Sequence, residues 1–234
     1  MIRKAVVVLC FVVSAGILST AQTLLSNLDS KTGWNSCSEC AGSGGTGGFA
    51  SHWFKQGVTS PSLDGRSMQF FLGGTNNYSN AYWWKPVAYG TSATNFVYDF
   101  YYYIKNSKAP QALEFEVNQG RNSKKYIFGT QCGFASGVWR VYDAYNHRWV
   151  ATTIACSGTS AYTWHHVVLE FHRTSTGKSQ FVTITLNGHK YYLNRSYSPK
   201  ASSITSLNVA FQMDGNRYQT DYSTWLDKVN LKYW

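Results

Sequence analysis

The alternation of apolar and polar residues is clearest over residues 112–119, which read ALEFEVNQ. Successive side chains of an extended strand point to opposite faces. One face of this strand would carry Leu113, Phe115 and Val117. The other face would carry Glu114, Glu116 and Asn118. The pattern predicts a strand with one face in a core and a row of two carboxylates and an amide on the other.

Similar alternation recurs from residue 60 to the C-terminus, in short aromatic and β-branched runs separated by Gly, Asn, Ser and Pro. The predicted strands are residues 67–72, 81–85, 95–104, 112–118, 124–132, 137–142, 149–154, 164–173, 180–186, 189–193, 206–213 and 225–233. No window shows a helical apolar stripe with caps. With 17% aromatic and 14% charged residues, the chain favours an all-β fold of two antiparallel layers.

The first 21 residues have the pattern of a secretory signal peptide. Arg3 and Lys4 precede an apolar run over residues 5–18, and small residues end at Ala21. We therefore expect a secreted protein, extracellular or periplasmic, and no later apolar run is long enough to span a bilayer. Residues 22–59 are predicted to form a Gly-rich, Cys-containing N-terminal segment, and residues 60–234 the β-sandwich domain.

The formal net charge of the whole sequence is +10, and removal of Arg3 and Lys4 with the leader leaves +8. Such a charge keeps a domain soluble, and it also favours an acidic polysaccharide as a partner. A nucleic-acid partner is not predicted, because no basic cluster is denser than Lys124-Lys125.

Four cysteines follow the leader, and an even number in an exported protein indicates disulfides. Cys132 and Cys156 both close predicted strands, so we pair them and leave Cys37 to pair with Cys40. A zinc site at Cys37-x-x-Cys40 with His52 is the rival interpretation. It is not favoured, because no second metal-binding pair follows at the spacing of a zinc finger.

Two stretches in the C-terminal third carry a resemblance to a known superfamily. One begins with Trp164-His165-His166-Val167, and the hairpin that follows it ends in Asn187-Gly188. The other is the closing run WLDKVNL, residues 225–231. Both resemble the laminin-G-like members of the concanavalin A-like lectin/glucanase superfamily. The resemblance implies a two-sheet antiparallel jelly-roll β-sandwich that binds glycans across a sheet face or at its rim, and it covers lectins, glycoside hydrolases and polysaccharide lyases alike.

Retaining glucanases of this superfamily carry Glu-x-Asp-x-Glu on one strand. By that resemblance Glu114 matches the nucleophile and Glu116 the assisting acid, whereas Asn118 stands where the acid/base should be. An amide cannot donate and recover a proton as a carboxylic acid does. Asp214 and Glu170 are candidates for a replacement acid. A lyase, which would draw on His165, His166 and His172, is the weaker catalytic alternative.

The aromatic content favours binding over catalysis. Trp83 and Trp84 lie in a segment of aromatic residues, and because they are adjacent in a strand they face opposite ways. A flat ring at the surface packs against the apolar face of a sugar. The predicted polar contacts to a sugar are Asn118, Gln212 and Asp214. We therefore predict a carbohydrate-binding, lectin-like domain, with a polysaccharide-degrading enzyme as the alternative.

No cofactor is predicted, although a structural calcium ion is an alternative role for the acidic residues. Some lectins of the superfamily hold metal through a carboxylate pair in a strand that residues 113–116 resemble. The basic residues of the loop that follows oppose a cation there. Asp227 and the turn at Asp214-Gly215-Asn216 are the other candidates.

Overall fold

A computed structural model describes residues 21–38, 50–156 and 160–234. Nearly all of its regular structure is strand. In chain order the elements are β1 (Thr23–Leu25), a 3-10 turn (Leu28–Ser30), β2 (Asn35–Ser38), β3 (Ser51–Val58), β4 (Ser67–Gly73), β5 (Asn80–Tyr89), β6 (Asn95–Ile104), β7 (Pro110–Arg121), β8 (Lys124–Gly133), β9 (Val138–Asp143), β10 (Arg148–Ala155), β11 (Trp164–Arg173), β12 (Ser179–Leu186), β13 (His189–Tyr197), β14 (Lys200–Ala201), β15 (Ser206–Gly215) and β16 (Tyr222–Tyr233).

The strands form two sheets that pack face to face. Sheet 1 has the order β13-β12-β11-β6-β16-β4-β3, with β1 also paired to β16. Sheet 2 has the order β10-β9-β8-β7-β15-β5-β2, with β14 also paired to β8. Neighbouring strands are antiparallel, as the alternating sequence predicts. The two-sheet jelly-roll sandwich is therefore confirmed.

Aromatic side chains from the two sheets fill the space between them. Phe115 of β7 stacks on Phe100 of β6, with ring centroids 4.5 Å apart, and on Phe211 of β15 at 5.3 Å. The predicted inner face of β7 is confirmed, because Leu113, Phe115 and Val117 are all fully buried. Each such side chain contributes roughly 1.5–3 kcal/mol by leaving water.

All twelve predicted strands occur, most of them longer than predicted. The Asn187-Gly188 hairpin also has the predicted geometry, since φ is 49° and 86° at these two residues. Two-residue loops with positive φ at both positions match the twist of the strands they join.

The N-terminal segment belongs to the sandwich, so the boundary predicted at residue 60 is wrong. β2 pairs with β5, β3 pairs with β4, and β1 pairs with β16. β2 and β3 are edge strands that are only partly covered, so they carry polar residues without the strong alternation that identifies a buried strand. The leader up to residue 20 and the Gly-rich run lie outside the described residues.

The turn after β1 is tied to the last strand through Asp29. The Asp29 carboxylate accepts a hydrogen bond of 2.9 Å from the Val229 amide, and the Trp34 indole donates to the Leu28 carbonyl at 2.9 Å. Burial raises the pKa of Asp29 to about 6, although the Val229 amide opposes this rise. Asp29 is thus a buried acid that gives up its proton less readily in the folded state than in the unfolded chain.

The predicted disulfide between Cys132 and Cys156 is confirmed. It joins β8 to the residue after β10. Cys37 is also disulfide-bonded, while Cys40, its predicted partner, lies outside the described residues. Within the described residues, no helix has the length and apolar character needed to cross a membrane.

Candidate functional site

The polar row of β7 lies on the outer face of sheet 2, the face turned away from sheet 1. Ala210 of β15 lies beside Glu116 on one side, and Gly129 of β8 lies beside it on the other. One row along the strands, Gln212 and Gln131 flank Glu114 in the same way. A cross-strand row of polar and very small residues therefore crosses the centre of this sheet.

Two pairs of aromatic side chains flank this row. Tyr82 and Trp84 of β5 stack with ring centroids 5.7 Å apart, beyond β15. Tyr142 of β9 and Trp149 of β10 contact each other at 5.0 Å, beyond β8. All four side chains are half-buried. We call them the β5 pair and the β9–β10 pair.

The side chains of Glu116, Tyr142 and Trp149 pack closely around Gly129. A Cβ at Gly129 would lie 3.2 Å from both Glu116 Oε1 and Tyr142 Cβ, and 3.4 Å from Trp149 Cη2. The β9–β10 pair therefore reaches the edge of the polar row. A larger residue at position 129 would fill the space between the carboxylate and the rings.

Glu116 accepts hydrogen bonds from neutral groups. The Tyr82 hydroxyl donates to its Oε2 at 3.2 Å, and Asn118 Nδ2 donates to the same atom at 2.8 Å. Burial, followed by the charge of Glu116, raises the pKa of the Tyr82 phenol well above its usual value. The β5 pair is thus held to the polar row through its tyrosine.

Glu114 and Asp214 form a buried carboxyl pair in which Glu114 donates a hydrogen bond to Asp214. Gln131 Nε2 donates to Glu114 at 2.7 Å, and Gln212 Nε2 donates to Asp214 at 2.7 Å. Burial, aided by the charges of Asp214 and Glu116, raises the pKa of Glu114 well above its ordinary value. Burial also raises the pKa of Asp214 to about 6. The pair therefore retains a proton in weakly acidic solution.

A cavity of about 200 Å³ opens next to this pair, and its lining includes Gln131, Arg140, Trp149 and Asp214. Glu114 is 3% exposed and does not belong to the lining. Asp214 is therefore the carboxyl group that a molecule in the cavity would meet, with Glu114 behind it.

Two amide oxygens beside the carboxylates have no hydrogen-bond partner. Asn118 Oδ1 and Gln212 Oε1 are both buried, while the nitrogen of each amide donates to a carboxylate. Buried polar atoms usually have partners. The floor of this face is therefore rich in acceptors.

Solved structures with a similar fold support the sandwich assignment. A carbohydrate esterase from the Shiga toxin-encoding bacteriophage phi24B superposes with a TM-score of 0.52 and 16% identity, over 91% of this chain and 99% of that chain. Arcelin-5, a lectin-like defense protein from Phaseolus vulgaris, gives 0.53 and 10% identity, over 92% of this chain and 99% of that chain. The cellulose-induced protein Cip1 superposes with a TM-score of 0.51 and 12% identity, over 88% of this chain and 96% of that chain.

The chain has the concanavalin A-like jelly-roll fold. At these identities the likeness shows the fold alone. No family model matches the sequence, and no curated protein matches it.

The jelly roll brings together most of the predicted ligand contacts and separates one of them. Trp84, Asn118, Gln212 and Asp214 share the outer face of sheet 2 with Glu114 and Glu116. Trp83 was predicted as a ligand contact, and this is wrong because its side chain is 0% exposed and packs against Phe70 at 5.1 Å. Adjacent strand residues face opposite ways, as predicted, and Trp83 is the one that points into the core.

The other catalytic candidates lie on sheet 1. Glu170 is on β11, where it accepts a 2.7 Å hydrogen bond from Lys190, so it cannot complete an acid pair with Glu114. The three histidines named for a lyase also lie on β11. His166 pairs with Asp99 at 2.7 Å, and His165 contacts the Ser160 carbonyl at 3.0 Å. Of the two candidate acids, Asp214 is the one that lies beside Glu114.

Sequence reasoning missed Arg140, Tyr142 and Trp149, which complete this face. The signal was present in β9, where Trp139 and Val141 alternate with Arg140 and Tyr142. The inner two are buried in the core, so the outer two must lie on the outer face.

No group of three or more His, Cys, Asp or Glu residues that could hold a metal ion occurs in the parts of the chain that the structure describes. Asp227 uses Oδ2 to accept hydrogen bonds from the Ser62 hydroxyl at 2.9 Å and the Leu63 amide at 2.6 Å. The carboxylates of β7 are engaged by Gln131, Tyr82 and Asn118. The predicted alternative of a structural calcium ion stays a prediction.

Proposed function

We propose that this protein binds a polysaccharide across the outer face of sheet 2. The observation that carries the proposal is the placement of the β5 pair and the β9–β10 pair on opposite sides of a polar row. Aromatic faces pack against the apolar C–H surfaces of sugar rings, and carboxylates and amides accept hydrogen bonds from hydroxyl groups. Between the two pairs, the small residues Ala210 and Gly129 lie on either side of Glu116.

The named functions of two similar structures agree with this proposal. One is a carbohydrate esterase and the other is a lectin-like protein. We further propose that the protein is secreted, as its leader predicts, and that it meets its ligand outside the cell.

The ligand that we propose is an acidic polysaccharide. Arg140 lines the cavity beside Asp214 and makes one long hydrogen bond, 3.4 Å to Gln131 Oε1. None of the ion pairs among the described residues includes it. A guanidinium group pairs well with a carboxylate or sulfate, so Arg140 is suited to an anionic sugar substituent.

Affinity electrophoresis in gels that contain neutral or acidic polysaccharides tests the proposal. Trp84→Ala and Trp149→Ala should each weaken binding about tenfold or more, because buried aromatic contacts dominate such interfaces. Trp53→Ala is the matched control, since Trp53 is 43% exposed on β3 of sheet 1. Equal losses in all three variants, or a wild-type protein that no polysaccharide retards, would contradict the proposal.

Glycan cleavage is the second candidate, and the position of Asp214 favours it. Its carboxyl group faces the cavity, and burial raises its pKa to about 6 although the hydrogen bonds from Gln212 and Glu114 oppose this rise. Such a group can act as a general acid in weakly acidic solution. The predicted catalytic roles of Glu114 and Glu116 stay predictions.

Reducing-end and unsaturated-product assays on retained polysaccharides test this second candidate. New chain ends that disappear in Asp214→Asn, with binding unchanged, would support cleavage. Retention without any product from wild-type protein between about pH 5 and 7, the range around the raised pKa, would leave binding as the function.

A further inference from the structure

A second and larger cavity continues the proposed binding face over the end of sheet 2. Its volume is about 730 Å³, and its lining includes Tyr78, Lys108, Gln111, Arg217 and Tyr218. Gln111 also lines the smaller cavity beside Asp214 and Arg140. The two cavities are therefore neighbours along one path, and we call the larger one the rim cavity.

The loops around the rim cavity are held together by Asn216. Its Oδ1 accepts from the amides of Tyr218 at 2.9 Å and Thr220 at 3.1 Å. Its Nδ2 donates to the Lys108 carbonyl at 3.0 Å, and its carbonyl accepts from the Tyr78 amide at 3.1 Å. One residue thus joins three of the four loops that carry the lining, which preorganises the cavity for a ligand.

The base of the same loop is anchored below the cavity. The Ser79 hydroxyl donates to Gln219 Oε1 at 2.6 Å, and the Tyr222 hydroxyl donates to the carbonyl of Asp214 at 3.0 Å. The loop that carries Arg217 directly follows β15, the strand that carries Asp214. This connection fixes the rim cavity relative to the proposed binding face.

The side chains at the rim are cationic and aromatic. Tyr218 is 68% exposed, and the Arg217 guanidinium lies over its ring at 4.4 Å. Lys108 is also exposed. Neither cation takes part in any of the ion pairs of the described residues. Arg140 lines the smaller cavity, Lys108 and Arg217 line the rim cavity, and none of the three takes part in an ion pair of the described residues.

We infer that the rim cavity binds an anionic substituent, a carboxylate or a sulfate ester, of the polysaccharide whose sugar rings lie between the two aromatic pairs. This inference rests on the proposed function and adds a second point of contact to it. Arg217 and Lys108 neutralise the substituent, and Tyr218 packs against the sugar that bears it. The ligand class is then a polymer with charged substituents, bound along its length.

Binding of matched neutral and charged polymers to the full-length protein tests the inference. The probes are dextran, dextran sulfate and polygalacturonate, so that the sulfate and carboxylate arms are separate. Arg217→Ala and Lys108→Ala should each weaken binding to at least one charged polymer about tenfold and reduce its salt dependence. Binding to dextran should stay unchanged. Arg66→Ala and Lys55→Ala are matched controls, because both residues are exposed far from the rim.

The outcomes separate the inference from the proposed function. A selective loss in Arg217→Ala and Lys108→Ala supports the rim cavity, and the polymer affected identifies the substituent. Equal losses in Arg66→Ala and Lys55→Ala would show diffuse charge attraction and overturn it. If Trp149→Ala abolishes binding while both rim variants bind normally, the inference fails and the proposed function stands. If wild-type protein binds none of a broad panel of glycans, the proposed function fails as well.

Discussion

Two acids on the outer face of sheet 1, Asp99 and Glu170, differ from the carboxyl pair on the outer face of sheet 2. On sheet 1, Asp99 pairs with His166 and Glu170 pairs with Lys190, both at 2.7 Å and both partly exposed to solvent. On sheet 2, Glu114 and Asp214 are buried and bond to each other and to glutamine amides. The same fold therefore holds Glu170 in a partly exposed ion pair and Asp99 in a hydrogen bond with His166, whereas it holds Glu114 and Asp214 in a buried network.

This difference supports the proposal that the ligand binds at the outer face of sheet 2. A carboxylate at a sheet surface is hydrated by water and can pair with a lysine at little cost in free energy. Burying two carboxyl groups side by side costs free energy and forces them to share a proton. Groups with strongly shifted pKa values concentrate at functional sites. Glu114 and Asp214 of sheet 2 have such shifted pKa values, and Asp99 and Glu170 of sheet 1 are the partly exposed acids with which they are compared.

The largest expected effect is a pH dependence of stability that comes from the carboxyl pair. A raised native pKa means that the folded protein holds protons that the unfolded chain releases, so the stabilisation is complete below about pH 4 and is lost as pH rises. For Asp214 the rise from 3.8 to about 6 corresponds to about 3 kcal/mol in the free energy of unfolding.

Urea denaturation between about pH 4 and pH 7 measures this effect. In Glu114→Gln the fall should shrink, because the variant lacks the Glu114 carboxyl group and its raised pKa, whereas burial still raises the pKa of Asp214. Glu170→Gln on sheet 1 should keep the wild-type slope. If the free energy of unfolding falls with pH equally in wild type and Glu114→Gln, the carboxyl pair of sheet 2 does not cause the pH dependence.

Asp29 tests whether burial alone, away from both outer faces, gives the same response. Its pKa is raised from 3.8 to about 6 by burial, so it too stabilises the fold at low pH and loses this contribution between about pH 4 and pH 6. Asp29→Asn keeps an oxygen for the Val229 amide and removes the titration. We expect the same denaturation series to flatten over this range by up to about 3 kcal/mol. An unchanged slope would contradict the assigned burial.

A smaller expected effect is the difference in stability between removing Glu116 of sheet 2, whose hydrogen-bond partners are neutral, and removing Glu170 of sheet 1, which pairs with Lys190. Glu116→Ala removes the acceptor of the Tyr82 hydroxyl and leaves Asn118 Nδ2 with only its 3.2 Å hydrogen bond to that hydroxyl, and we expect it to lower the free energy of unfolding by about 1–3 kcal/mol. Glu170→Ala removes one exposed ion pair and should cost less than about 1 kcal/mol. Equal losses at neutral pH would remove the distinction.

The alternating pattern predicted the faces of individual strands well, because the direction of a side chain in a strand depends only on its parity. Leu113, Phe115 and Val117 entered the core for this reason. The same alternation predicted that the side chains of Trp83 and Trp84 point to opposite faces of the sheet. It could not show which one faces the core, since both are equally apolar.

The sequence could not predict which strands are neighbours in a sheet, because strand pairing depends on contacts between distant parts of the chain. Asp214 lies 100 residues after Glu114, and only the pairing of β15 with β7 brings them together. The β9–β10 pair reaches the polar row through β8 in the same way. β2 and β3 were not predicted, because partly covered edge strands tolerate polar residues that are otherwise typical of loops.

The disulfide between Cys132 and Cys156 also bears on how the binding face would withstand proteases. It closes a covalent ring of chain that contains β9 and β10, the strands that carry Tyr142 and Trp149. The most exposed turn in this ring, residues 145–148, is an accessible cleavage point. A single cut there leaves both new ends bonded to the rest of the protein, so the aromatic pair stays in place. Its release requires a second cut or reduction of the bond.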